Sequence, residues 1–298
     1  MATVQDIKRR VRSVRNTRKI TRALELVAAA KLKRAQSRIE DMRPYADRML
    51  ELMAGTARAS SSVRGLPLLQ KHDQEETVAI VPLTGDRGLA GAFNAQILRR
   101  SFALERKLRG EGKSVKWLAV GRKGRGSLLF RRYEIDQAWT GFTDRPSYHD
   151  AQAVAHRLAE LYTEGEVDSA VIVYNHYVSP LVQRATEQEV LPISEEMLGH
   201  KEEEDEGSRA LLGDFIYEPE PDQILERLLP VYLETELYRA LLESAASEHG
   251  ARMTAMRNAS KNAGELITSL TLAMNRARQA EITQEILEVV AGADALTQ

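Results

Sequence analysis

The sequence predicts an α/β protein in which long N- and C-terminal helices form an antiparallel coiled coil around a small central α/β domain. Three observations predict it. All nine prolines fall between Pro44 and Pro230, the first glycine is Gly55, and only Gly250, Gly264 and Gly292 follow Pro230. Proline costs about 3 kcal/mol inside a helix and glycine about 1, so a chain that keeps both from its ends keeps long helices there. The apolar residues of both ends recur every 3.5 residues, the period of a coiled coil. The middle alternates β-rich apolar runs with helical stretches, the pattern of a largely parallel sheet.

The N-terminal element, 1–60, is expected as one helix over about 3–53. One seam row is Val4, Val11, Arg18, Glu25, Leu32, Ile39, Ala46 and Met53; the other is Ile7, Val14, Thr21, Ala28, Ala35, Met42 and Met49. Twelve of these fifteen positions are apolar, and the exceptions, Arg18, Thr21 and Glu25, are consecutive seam positions. At the same level Ile20, Leu24 and Val27 move to another face. A free two-helix coil has no reason to expose apolar residues beside a polar seam; a helix touching an external partner does. Residues 1–43 also carry thirteen Lys and Arg against four Asp and Glu. That excess fits a solvated face, an acidic protein partner or nucleic acid.

The central element, 75–215, is expected to hold strands at 77–83 (TVAIVPL), 115–120 and 168–178, with helices near 89–109 and 150–164. TGDRGLAG (84–91) follows a strand but lacks the spacing of a phosphate loop. GRKGRGS (121–127) weakly resembles a dinucleotide fingerprint. Only a few residues separate it from Tyr133 and Ile135, too few for the helix that would hold a pyrophosphate, so no cofactor is expected. The acidic run Glu202–Glu206 reads as a solvated loop.

The C-terminal element, 220–298, is expected as a helix over about 222–290. Its seam runs through Leu242, Ala246, His249, Met253, Met256, Ser260, Ala263, Ile267, Leu270, Met274 and Ala277. It then turns polar at Glu281, Gln284 and Glu288, while Ile282, Ile286, Val289 and Val290 shift to another face. His249 on the seam reads as packed rather than reactive.

Composition excludes several chemistries. The 298 residues include no cysteine, which removes disulfides, thiol nucleophiles and Cys-ligated metal sites. The six histidines form no i, i+4 pair. No serine nucleophile with partners is visible, so no catalytic residue is expected. Formal net charge is −1. No window approaches 18 consecutive apolar residues, and the start has no apolar stretch of signal-peptide length.

VRNTRKITRALELVAAAKLKRAQ (14–36) and RPYAD (43–47) resemble the N-terminal signature of the gamma subunit of bacterial-type F-type (rotary, proton-translocating) ATP synthase. GDRGLAGAFN (85–94) resembles that family's central motif. YEPEP (217–221), SEHGARMTAMRNASKNAGELI (247–267) and NRARQAEITQEILEVVAGADAL (275–296) resemble its C-terminal signature. Ala90 and Thr84 stand where the family usually has a cysteine or small residue and a serine. The resemblance implies a coiled coil carrying a Rossmann-like α/β domain. It implies a non-catalytic subunit, the central rotor shaft, that couples proton-driven rotation of the c-subunit ring to conformational cycling of the catalytic beta subunits for ATP synthesis. The implied partners are the alpha and beta subunits, epsilon and the c ring, at the cytoplasmic face of the cell membrane as a peripheral protein. It implies beta-subunit contacts at Lys19, Arg22, Leu24, Arg252, Arg278, Gln279, Thr283 and Glu285, and c-ring contacts at Tyr217 and Glu218. The basic N-terminal helix keeps a coiled-coil nucleic-acid binder as the alternative, which predicts steeply salt-dependent binding.

Overall fold

A computed structural model describes residues 3–59, 66–72, 74–194 and 219–296. The elements are α1 (Val4–Ala59), β1 (Thr77–Pro82), α2 (Phe93–Gly110), β2 (Ser114–Val120), α3 (Arg122–Phe130), β3 (Ile135–Trp139), α4 (Tyr148–Thr163), β4 (Ser169–Tyr177), β5 (Gln183–Leu191) and α5 (Pro221–Leu296). The two terminal helices hold 56 and 76 residues and run through Pro44 and Pro230 without ending. The chain divides into two compact units, residues 1–29 with 252–298, and residues 30–251. The division falls within both helices rather than at their junctions with the α/β segment.

In the unit formed by 30–251 the sheet order is β3-β2-β1-β4-β5. β1 pairs in parallel with β2 and β4, β2 pairs in parallel with β3, and β5 returns antiparallel on β4. Side chains alternate across the pleat. Val78 and Ile80 of β1 therefore join Phe93, Ile97, Phe102 and Leu108 of α2 and Leu128 of α3 on one face. Ala79 and Val81 join Leu158 and Leu161 of α4, Met49 and Met53 of α1, and Leu233 and Leu237 of α5 on the other. The sheet is thus covered on both faces, as a parallel sheet must be. α4 begins with a capping box: the Ser147 hydroxyl accepts from the Asp150 N–H, and the Asp150 carboxylate accepts from the Ser147 N–H at 2.8 Å.

Two strands and a helix were not anticipated. β3 is short and half-buried, and β5 reads QRATEQEVL, an edge strand whose polar residues hide the period. The expectation that no helix fits after GRKGRG is corrected: α3 starts at Arg122, inside the motif, and uses the motif's own residues. It fits because Gly121 takes φ +90, and because Gly124 has no side chain where Thr84 packs.

In the unit formed by 1–29 with 252–298, two contacts fix the direction and register of the helix pair. Glu25 meets Arg257, and the Arg18 guanidinium lies 3.9 Å from the space a side chain on Gly264 would occupy. Both pairs have the same index sum, so the helices are antiparallel with residue 4 opposite about residue 278. The buried or half-buried positions 256, 260, 263, 267, 270, 274 and 277 follow the expected seam. Arg18 does not: it is exposed, because its long side chain reaches across Gly264 instead of entering the seam.

The Gly121 conformation has a measurable consequence. A methyl group there would lie 2.1 Å from the Thr84 carbonyl oxygen, on a backbone already at positive φ. Gly121→Ala is expected to lower unfolding stability by more than about 2 kcal/mol, read by urea denaturation, whereas Gly126→Ala, with open space around it, costs nothing measurable.

Candidate functional site

The carboxyl ends of parallel strands, at the point where strand order reverses, are where doubly wound sheets usually hold ligands. Here that point lies between β1 and β4, since the chain builds outward through β2 and β3 and then returns to β1's other side. α5 fills it. The Ser244 hydroxyl donates to the Leu83 carbonyl at 3.1 Å, and the Ser247 hydroxyl donates to the Asn175 carbonyl at 2.8 Å. The Glu248 carboxylate, 2% exposed, lies where a side chain on Gly85 would stand, at 2.8 Å. Only glycine at 85 allows the loop after β1 to approach the helix this closely.

The rest of TGDRGLAG ties the strand ends together. Thr84 Oγ1 donates to the Val120 carbonyl at 2.8 Å and accepts from the Gly124 N–H at 2.7 Å. The Asp86 carboxylate accepts from the N–H groups of Arg122, Gly141 and Thr143 and from the Thr143 hydroxyl. One short loop therefore holds the starts of α3 and of the β3–α4 connection. Beside it, Asp144 accepts from Lys31 of α1, and its carbonyl lies 3.1 Å from His249 Nε2 of α5. Burial pushes the Asp144 carboxyl up, but Lys31 and His249 outweigh it and leave it below the usual aspartate range. His249 is packed, 1% exposed.

The helix pair in the other unit has its own buried charge. Glu25 sits on the seam, 5% exposed, and accepts from Arg22 of its own helix at 2.8 Å and from Arg257 of the other helix at 3.1 Å. Burial raises its carboxyl, and the two guanidiniums reverse that, so the net shift is downward. A buried ion cluster adds little stability over an apolar seam, but it penalises every other register. Around it Ile20, Leu26 and Val27 are half or more exposed, while Leu24, expected outside, is half-buried.

Beyond Ala277, no other described part of its unit covers α5: every side chain from Arg278 to Val290 is exposed. Ile282, Ile286, Leu287, Val289 and Val290 thus face outward. Of the expected contact residues, Arg278, Gln279, Thr283 and Glu285 all lie on this stretch, and Thr283 Oγ1 donates to the Gln279 carbonyl at 2.9 Å. Lys19 is exposed, Arg22 is engaged with Glu25 while largely exposed, and Arg252 is half-buried. Tyr217, Glu218 and the acidic run 201–206 lie outside the described residues. Reading the sequence missed the role of Gly85, Asp86, Asp144 and Glu248. Its one signal was a Gly-Asp pair just after a strand, which was weighed as a phosphate loop and as part of a family motif but not as a latch for a distant helix.

Long helices paired antiparallel in one unit, and latched in the other to a doubly wound sheet whose usual ligand crevice one of them fills, define a class of protein that works through contacts along its helices. A family model described as ATP synthase matches residues 3–296. The ATP synthase gamma chain of Rubrobacter xylanophilus is 46% identical over 296 residues, covering 99% of each chain, and that of Moorella thermoacetica is 45% identical over 99% of this chain and 100% of its own. The chain belongs to the family of ATP synthase gamma chains, a subunit of that complex rather than a catalytic enzyme. Among solved structures, the central stalk/c-ring of Tetrahymena thermophila mitochondrial ATP synthase is similar at 27% identity and TM-score 0.57, covering 81% of this chain and 99% of that one. A chain of the Euglena gracilis mitochondrial ATP synthase shares the fold at TM-score 0.68 and 19% identity, covering 98% of this chain and 94% of that one.

The sign of the Glu25 shift gives a pH prediction. A carboxyl depressed in the folded state stabilises above its unfolded value, and the contribution is lost as pH falls through the folded value. Spin labels on Arg18→Cys and Gly264→Cys, in this otherwise cysteine-free chain, are expected to report a narrow distance at pH 7 that broadens as pH falls below the ordinary glutamate value of 4.5. In Glu25→Gln the broad distribution is expected already at pH 7.

Proposed function

We propose that this gamma chain is the central rotor shaft of an F-type ATP synthase, peripheral to the membrane, coupling c-ring rotation to the conformational cycle of the beta subunits. The observation that carries this reading is the unpartnered end of α5. From Arg278 to Val290 the helix exposes a row of large apolar residues that no other described part of its unit covers. Such a surface needs a sleeve. A sleeve that must let the helix turn cannot bond to it permanently, which suits apolar contact with a few polar side chains.

Arg278, Gln279, Thr283 and Glu285 on that end, and Lys19, Arg22, Leu24 and Arg252 lower on the pair, are proposed to meet the beta subunits. Tyr217 and Glu218 are proposed to meet the c ring, and epsilon and alpha complete the set of partners. A shaft biases a beta conformation only where its contacts differ between states. Opposite the exposed apolar row lie Glu281 and Glu288, so one turn of the helix presents different chemistry to successive neighbours. The filled crevice and the Asp144 contacts support the same reading. They join the α/β domain to both helices, as torque transmission from foot to shaft requires.

Reconstitution with purified alpha and beta subunits tests it. The full chain is expected to assemble a fast ATPase. Truncation after Ala277 is expected to leave assembly intact and slow turnover, and Arg278→Ala with Gln279→Ala to cost roughly tenfold, about one charged hydrogen bond lost at the rate-limiting state. Unchanged turnover after truncation overturns the assigned tip contacts, and failure of the full chain to assemble overturns the shaft.

A further inference from the structure

A cavity in the unit formed by 30–251 takes no part in the latch or in the seam of the helix pair. It measures about 380 Å³ and lies where α1, the start of α4 and α5 meet, on the face of the sheet away from α2. That volume suits a small molecule. Three tyrosines line it. Tyr148 and Tyr238 stand edge to face, with ring centroids 5.8 Å apart and planes at 79°, so they form two walls of a corner. Tyr45, 51% exposed, stands at the rim, close enough to Tyr148 for its phenol to bear on Tyr148's ionisation. Aromatic rings set at angles around an open space form a cage, which receives methylated ammonium groups on the negative faces of the rings.

The charges around the cavity point the same way. Glu234 is 6% exposed, and its carboxylate accepts from the Tyr148 hydroxyl at 2.7 Å and from Gln152 Nε2 at 3.3 Å. It has no cationic partner among the described residues, and a buried carboxylate without a cation is costly. Its hydrogen bond also shifts electron density onto the Tyr148 ring, which strengthens that ring's hold on a cation. On α1, Arg38 and Asp41 both line the cavity, one helical turn apart. Arg38 Nη1 donates only to the Pro146 carbonyl, at a long 3.4 Å, and Asp41 has no hydrogen bond or ion pair to any described residue. Two uncommitted charges of opposite sign beside an aromatic corner fit a molecule with a cationic head and an anionic tail.

We propose that this cavity binds a small betaine, a zwitterion with a quaternary ammonium group and a carboxylate. The trimethylammonium head sits among Tyr45, Tyr148 and Tyr238, and the carboxylate meets the Arg38 guanidinium. Asp41 and the buried Glu234 supply the negative field for the head. The ligand touches α1, α4 and α5 together and so braces the α/β domain against both helices. The site stands or falls independently of the shaft reading. Saturation-transfer NMR on the N-methyl protons of glycine betaine, with the full chain, tests it. It reads binding directly, apart from the general stabilisation that excluded osmolytes give folded proteins.

Saturable binding is expected. Tyr45→Leu and Tyr238→Leu are each expected to weaken it roughly tenfold, and Glu234→Gln roughly fivefold. Arg38→Gln is expected to weaken glycine betaine roughly fivefold but to leave choline, which has the same head and no carboxylate, within about twofold. The carbon isostere 3,3-dimethylbutanoate keeps the shape and the carboxylate but lacks the positive charge, and is expected to compete roughly tenfold less well. Tyr45 is exposed, so Tyr45→Leu is expected to unfold at the parent's temperature, which separates loss of binding from loss of fold. Equal competition by the isostere overturns the cage. An Arg38→Gln effect as large on choline as on betaine overturns the assigned orientation. No saturable signal from the folded full chain, or one that Tyr45→Leu leaves unchanged, overturns the site.

Discussion

The structure depends on how closely α5 approaches the carboxyl edge of the sheet. A helix can enter the crevice between β1 and β4 only if the loop there yields space and if the carbonyls it covers find donors. Gly85 yields the space, since Glu248 stands where its side chain would be. Ser244 and Ser247 supply the donors for Leu83 and Asn175. A leucine at either serine would fit the helix period equally well and leave a buried carbonyl unpaired, which costs more than the hydrogen bond contributes. Small polar residues on the buried side of α5 are thus a requirement of where the helix lies.

The same logic separates the two kinds of buried charge. Asp144 and Glu25 each hold more than one basic partner, and in each case burial and pairing act in opposite directions with pairing the larger. Asp144 joins three segments that are distant in sequence, through Lys31, its own loop and His249. Glu25 joins two helices that an apolar seam alone would allow to slide. Alanine and methionine dominate that seam, and such residues pack acceptably in several registers. A charge that is satisfied in one register only removes that freedom.

Much of this was legible in the sequence because helices and seams are written in periodicity. The helix pair, its seam residues and the exposed apolar residues at 282–290 followed from spacing and from where proline and glycine are missing. The polar seam at Thr21 and Glu25 was visible too, although not that Arg257 answers it from the opposite helix, because pairing register is not a property of either helix alone. Arg18 departed from the pattern since a neighbour without a side chain, Gly264, offered its guanidinium another path. β5 was hidden because an edge strand half open to water need not look apolar. α3 was hidden because its first turn is a glycine-rich motif, and helix propensity alone argues against it. Tertiary packing of Gly124 against Thr84 overrides that propensity. The latch at Gly85 and Glu248 was illegible for a simpler reason: its halves are more than 160 residues apart, and neither half is unusual alone.

The filled crevice also changes what that place in the fold can be asked to do. α5 is in effect a ligand covalently attached to its own binding site, and tethering sets its effective concentration far above that of any free molecule. A nucleotide or drug aimed at the carboxyl edge of this sheet would have to displace a helix that also holds the core's other face through Leu233 and Leu237. Occupancy there is therefore coupled to unfolding of the domain rather than to a local opening. A compound that did bind would act as a destabiliser of the whole unit, and selection for such compounds would be read more directly in lowered melting temperature than in competition for a site.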